Sequence, residues 1–526
     1  MGNRIKKVLI FSLVFFVFVG CIGQTPEEKE YDSTTKGEKV IYDSEAKAYG
    51  AEIDEIKREA MQFLDGHARE FAALSDAIWS YAELGFQEYR SSNLLAYALK
   101  RQGFKVELGV AGIPTAITAS WGSGKPVIGI TGEYDALPSL SQMSVSHKEP
   151  VVEGAPGHGC GHNVLGTTGV ASAIALKHVM ELYDLKGTVR FFGCPAEESG
   201  SAKIFMVREG MLDDVDVVLD NHPSNGFSVD YGVNSNALFC VRVTYYGKAA
   251  HAAGAPWMGV SALDAVELMT EGINLLREHL RVTHRIHYVI LEGGAWPNIV
   301  PDKSVVMCYV RDTDERIKDT YQKVLNCVEA GAIGTGCEYE VELIKAYHQK
   351  HSNEVLARVI HENMKLVGLP KWTKEEQDFA KRIQKNMELE PKGLPKEIRL
   401  MEPQEIFTGG GSTDVGEISL VAPVATVRTP CWALGVPGHS WGIVATGATD
   451  IAHKGLLAGA KTITCTSIDL LTKPEELRKI KDEFEEMSDG YPYECYMPKD
   501  AKPALDLFEE EMKRWRPLME EYYKEG

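Results

Sequence analysis

Pro126-Val127-Ile128-Gly129-Ile130-Thr131 is a short apolar run of the kind that forms a strand buried in a sheet. A helical pattern over 165–182 follows it, then the strand-like Thr188-Val189-Arg190-Phe191-Phe192, and then another strand from Val215 to Leu219. Strands alternating with helices predict an α/β layer with a mostly parallel sheet. In such sheets ligands gather beyond the carboxyl ends of the strands. The residues just past each run are therefore where chemistry is expected.

Those residues are polar and of the right types. Gly132-Glu133-Tyr134-Asp135-Ala136-Leu137-Pro138 follows the first run, Pro195-Ala196-Glu197-Glu198 the second, and Asp220-Asn221-His222-Pro223 the third. Between them lies Gly157-His158-Gly159-Cys160-Gly161-His162-Asn163. A thiol and an imidazole two residues apart cannot share a helical face. They can converge in a tight loop, whose unusual dihedrals glycine permits. Cys and His hold borderline-soft divalent metals. A further glycine-flanked histidine, His439, stands in Gly435-Val436-Pro437-Gly438-His439-Ser440-Trp441.

At 526 residues the chain is long enough for two to four domains. With 44% hydrophobic and 25% charged residues it can bury a large core. A formal net charge of -19 argues against nucleic acid or an anionic membrane surface as partner. Arg4, Lys6 and Lys7 precede an apolar run from Val8 to Gly20, whose 13 residues suit a secretory signal and fall short of a membrane span. Phe18-Val19-Gly20-Cys21 resembles a prokaryotic lipobox, with Phe where Leu is usual. The expectation is an extracytoplasmic lipoprotein held to the membrane by a lipid on Cys21, the alternative being an uncleaved short anchor. Residues 22–50 are polar and aperiodic, as a flexible tether would be. Of the 10 cysteines, an odd number follow Cys21, so at least one is free or metal-bound. Cys160 is the candidate.

The ordered set of motifs resembles the M20 metallopeptidase family. It comprises 132–138, 157–163, 195–198, His222, Gly-Lys-Ala-Ala-His-Ala at 247–252, Gly-Gly-Ala-Trp-Pro-Asn at 293–298, Gly-Ser-Thr-Asp-Val-Gly at 411–416 and Pro-Gly-His-Ser-Trp at 437–441. Within the family it looks like the amidohydrolase branch, of the aminobenzoyl-glutamate hydrolase B-subunit type. The resemblance implies a zinc-peptidase-like α/β catalytic domain, discontinuous in sequence, with an inserted α+β, ferredoxin-like lid or dimerisation domain. The expected division is a signal segment 1–21, tether 22–50, catalytic parts 51–234 and 348–475, insertion 235–347, and a charged helical tail 476–526 packed across the catalytic domain. A β-α-β-β-α-β order of patterns within 235–347 agrees.

Carried over by position, the resemblance makes Cys160, His162, Glu198, His222 and His439 ligands of two divalent ions, zinc or manganese, with the Cys160 thiolate spanning both. Glu133 and Asp135 orient ligands, Asp414 is either a similar support or a turn cap, and His158 is a neighbour. Glu197 is the general base. In the inserted domain His251 stabilises the oxyanion, Asn298 contacts substrate, and Arg311 either grips a substrate carboxylate or sits in a surface ion pair. The implied activity is hydrolysis of the amide of an N-acyl or aminobenzoyl amino acid, the alternatives being a dipeptidase or a peptide- or metal-binding lipoprotein without turnover. A homodimer, or pairing with a homologous subunit, is the implied assembly.

Overall fold

A computed structural model describes residues 53–233, 235–401, 403, 411–489 and 493–525. Cys21 and the 22–50 segment lie outside the described residues.

Two sheets organise the chain. The strands of the first are β1 (Lys105–Leu108), β2 (Ile117–Ser123), β3 (Val127–Gly132), β4 (Gly187–Gly193), β5 (Val217–Ser224), β6 (Ser228–Val229) and β13 (Val424–Pro430). They lie in the order β1-β2-β4-β3-β5-β13-β6. The central β4-β3-β5-β13 pairs are parallel, while β1, β2 and β6 join antiparallel at the edges. The parallel centre follows from β3, whose six residues are all buried and can only lie in a sheet covered on both faces.

Helix His162–Leu182 covers this centre, packing on β3, β4 and β5. It approaches closely because its contact face is small: a Cβ on Gly169 would stand 2.5 Å from the Thr131 carbonyl. Helix Asp450–Thr472 runs against it and against β13. Lys57, Asn363 and Asp469 tie three helices together in the interior, with Lys57 Nζ 2.6 Å from Asp469 Oδ2 and 2.9 Å from Asn363 Oδ1. The helical pattern from Ile53 onward is two helices, Ile53–Gly66 and Ala68–Tyr81, broken at the weak helix former Gly66.

Between the two short strands β7 (Gly232–Val233) and β12 (His351–Ser352), which pair with each other, the chain makes its second sheet. Its strands are β8 (Ala237–Tyr246), β9 (Arg285–Glu292), β10 (Lys303–Asp312) and β11 (Glu338–Tyr347), antiparallel in the order β11-β8-β10-β9. Helices Ala262–Leu276 and Asp314–Thr335 pack on each other and on β8 and β10. The element order is β-α-β-β-α-β. β9 is an edge strand, and Val289, Ile290 and Leu291 on it are exposed.

The tail packs on helices and loops beside the sheets. Tyr493 Oη donates to Glu417 Oε2 at 2.7 Å, and Tyr496 stacks on His348 while its hydroxyl reaches Asp314. Arg208 then holds the carbonyls of Pro498 and Ala501, and helix Glu509–Met519 ends against Ala82 and Ala136.

Candidate metal centre

The ends of β3, β4 and β5 converge on the start of helix His162–Leu182. Gly161, its N-cap, has φ 78, and a Cβ there would press on Pro223 and Trp432 at 3.1 and 3.2 Å. Only glycine fits, and the resulting turn sets Cys160 and His162 side by side. His222 lies within β5 rather than beyond it, opposite Arg428 of β13. The glutamate loop after β4 starts at Ala196 in the left-handed region (φ 56), and His439 has φ 53. Such non-glycine residues cost energy and persist where surroundings over-determine them.

Cys160 belongs to two groups of donor atoms that lie within 4.8 Å of one another, one with His162 and His222, the other with Glu198 and His439. A thiol common to two such triads is the layout of two neighbouring cations sharing one ligand. The donor chemistry, soft sulfur with imidazole and carboxylate, fits zinc-type ions. Buried polar atoms agree: His162 Nε2 and Glu133 Oε2 lie 3.3 Å apart, and among the described residues neither has a well-formed hydrogen bond. His162 Nδ1 is tied to Asp135 Oδ1 at 2.7 Å, which turns Nε2 toward the cluster. His222 Nδ1 donates to the Pro223 carbonyl at 2.6 Å, leaving Nε2 3.4 Å from Cys160 Sγ. Burial pushes the His222 imidazole down to about 3.

The two adjacent glutamates differ. Burial raises Glu198, but the hydrogen bond and charge of His439, 3.1 Å away, outweigh it and pull the carboxyl down to about 2. Among the described residues no histidine hydrogen-bonds Glu197; burial, with Glu198 and Asp414 nearby, pushes it up to about 7 against the pull of Lys203 and His162. It lies in a third donor group with Glu133 and His162. One carboxylate is held as an anion and its neighbour is poised to exchange a proton.

Two lysines that motif reading passed over hold this arrangement. Lys203 Nζ sits 2.6 Å from both Glu133 and Asp414, so Asp414 is an ion-pair support. Lys345 of β11 donates to the carbonyls of Glu197 and Glu198, and Tyr309 of β10 donates to the latter at 3.1 Å. Buried lysine carries no local sequence signature, so their partners had to be seen in space. His158 is buried and hydrogen-bonds the Ile78 carbonyl, apart from the donor groups.

Glu133, Cys160, Glu197, Glu198, His222 and His439 line a cavity of about 280 Å³, and Arg311 lines it too. His251 and Asn298 are not among the described residues lining it. They are exposed and adjacent to one another on the second sheet's unit, where Ala252 N donates to the Asn298 carbonyl at 3.0 Å. All nine described cysteines are free thiols.

Residues 129–465 match the model of peptidase family M20/M25/M40. The chain belongs to this family. The B-subunit of the p-aminobenzoyl-glutamate hydrolase from Escherichia coli is 37% identical to this M20 protein over 479 residues, 86% of this chain and 99% of that one. The mouse Xaa-Arg dipeptidase is 30% identical over 458 residues, 82% of this chain and 93% of the relative. The crystal structure of a dinuclear metal-binding M20 peptidase from Bacillus subtilis superposes with a TM-score of 0.51 at 17% identity, covering 77% of this chain and 99% of that one. The M20 protein is a metal-dependent hydrolase of amide bonds.

Proposed function

We propose that this M20 hydrolase cleaves the amide of an N-acyl or aminobenzoyl amino acid, of which aminobenzoyl-glutamate is the type. The observation that carries the reading is one cavity lined by the Cys160-centred donor groups, the proton-exchanging Glu197 and the cationic Arg311. Its size suits a small acyl-amino acid. The relative from Escherichia coli, matched almost end to end, supports the substrate class.

Cys160, His162, Glu198, His222 and His439 would hold two divalent ions, zinc or manganese. Divalent ions held there would supply the chemistry of lowering the pKa of a water and polarising a scissile carbonyl. Glu197 takes the proton of that water and delivers it to the leaving nitrogen. Asp135 keeps His162 in one tautomer, and Lys203 fixes Glu133 beside it. Arg311 receives the substrate carboxylate and sets the register of the scissile bond.

The exposed His251 and Asn298 would serve a neighbouring subunit's site, in a homodimer or with a homologous subunit. The exposed edge strand β9, with Val289, Ile290 and Leu291, supports such pairing. We place the protein outside the cytoplasm, anchored through lipid on Cys21, on the strength of the lipobox-like Phe18-Val19-Gly20-Cys21.

A dipeptidase reading has the mouse relative in its favour. Release of free amine from a panel of acyl-amino acids and dipeptides, before and after chelation and metal return, tests the assignment. Chelator-sensitive turnover of acyl-amino acids is expected; turnover of dipeptides alone would replace the reading with the second one.

A further inference from the structure

Lys350, three residues past β11, is 3% exposed and lines the same cavity. Its main-chain N–H is fixed on Ser235 Oγ at 2.7 Å. Its ammonium donates to Thr426 Oγ1 at 3.1 Å and, among the described residues, forms no ion pair with a carboxylate. An ammonium has three donors, so this one has capacity to spare. Of the acids nearby, Asp220 is reached only through the Thr426 hydroxyl, and Asp230 is paired with Arg428.

A buried cation with no directly paired carboxylate is costly even with acids nearby. Burial, and then Arg428, lower the Lys350 pKa to about 8, so the group is still largely protonated at neutral pH. Such a group, facing a cavity that already contains Arg311, is placed to receive an anion brought by a ligand.

We propose that Lys350 binds the side-chain carboxylate of an acidic leaving amino acid, while Arg311 takes its α-carboxylate. This rests on the reading of the cavity as an acyl-amino-acid site and deepens it to N-acyl derivatives of dicarboxylic amino acids. Arg311 and Lys350, with Arg428 also lining the cavity, disfavour a basic leaving residue, which separates this site from that of a dipeptidase acting before arginine.

The test uses the metal-loaded full chain and three substrates sharing one acyl group, with glutamate, glutamine or arginine as leaving residue. Wild type should favour glutamate over glutamine about 10- to 100-fold in kcat/KM, the range of one charge-assisted contact, and use arginine least. Lys350→Met should bring the glutamate-to-glutamine ratio near one, chiefly through KM, and Lys350→Arg should keep most of it. Equal wild-type rates for glutamate and glutamine overturn the proposal and leave the acyl-amino-acid reading standing. So does a Lys350→Met variant that loses both substrates in equal proportion. Should that variant not fold, competition on wild type decides: glutarate should inhibit at least tenfold more strongly than butyrate, and equal inhibition overturns the proposal. Wild type that hydrolyses no acyl-amino acid at all overturns the underlying function instead.

Discussion

The ammonium of Lys345 lies 3.1 Å from the main-chain carbonyl of Glu197, so a strand of the second sheet holds the residue that faces the donor cluster on the first. It also holds the carbonyl of Glu198 at 3.0 Å, which makes the glutamate loop a bridge between the two sheets. Lys345→Met should leave two buried carbonyls short of a donor and let the loop shift. Misplacement of a reacting group by about 1 Å costs on the order of 100-fold in rate. The expected outcome is a fall in kcat of that order with metal content retained, and partial recovery in Lys345→Arg. Steady-state kinetics with elemental analysis checks this. A variant as fast as wild type would show that the bridge does not position Glu197.

Glu197→Gln and Cys160→Ala should separate proton transfer from metal holding. The amide keeps the shape of Glu197 but cannot accept a proton, so turnover should drop about 100- to 10,000-fold with both metals bound. Cys160 is common to two donor groups, and its loss should lower metal occupancy together with activity. Metal content is the discriminating measurement. Full occupancy in Cys160→Ala would remove the thiol from the ligand set.

Lys57 and Asp469 are almost fully buried, and Lys57→Met, which removes one of the two lysines on Asp469 and leaves Lys473, should destabilise the fold by about 1.5–3 kcal/mol, the range of a hydrogen bond to a charged group. Burial raises the Asp469 pKa, but hydrogen bonds from Lys473, Lys57 and Asn363 outweigh it and hold the carboxyl below its usual range. A folded pKa below the unfolded one contributes stability that is complete above about pH 4 and is lost as pH falls through the folded value. The gap between wild type and Lys57→Met should therefore be widest at neutral pH and narrow in acid. Denaturant melts at several pH values measure it, and a gap that widens in acid would contradict the assignment.

The sheet's parallel centre and the clustering of polar motifs at its strand ends were legible from sequence because both are local signals. A run such as Val127–Gly132 and a turn such as Gly159-Cys160-Gly161 need no distant partner to be recognised. Lys203, by contrast, meets Glu133 and Asp414 across 70 and 211 positions of chain, and a lone lysine ordinarily faces solvent. Lys345, Lys350 and Tyr309 escaped for the same reason: their significance arises only when the second sheet folds against the first. His251 and Asn298 show the converse. Their motifs stand out in the sequence, yet within one chain they are exposed and outside the cavity lining.

Arg311 should decide whether the enzyme demands a free α-carboxylate on the leaving amino acid. It stands on β10 one residue before the strand ends, and its guanidinium carbon is 5.5 Å from the ring centre of Tyr309, whose hydroxyl holds the Glu198 carbonyl. The same short stretch of strand thus lines the cavity and supports the glutamate loop. A bidentate contact between guanidinium and carboxylate is worth about 1.5–3 kcal/mol net, or roughly one to two powers of ten in kcat/KM. Wild type should therefore prefer an acyl-amino acid over its α-carboxamide by that factor. Arg311→Met should lower kcat/KM for the free acid, narrow its advantage over the carboxamide and leave metal content intact. Measuring both substrates with both proteins separates the outcomes. No preference in wild type would mean that the site does not read a chain end, and a full preference surviving in the variant would assign the α-carboxylate to another residue. Lys350 is then the first to test, since a single cation serving the α-carboxylate would make its loss affect glutamate and glutamine substrates alike.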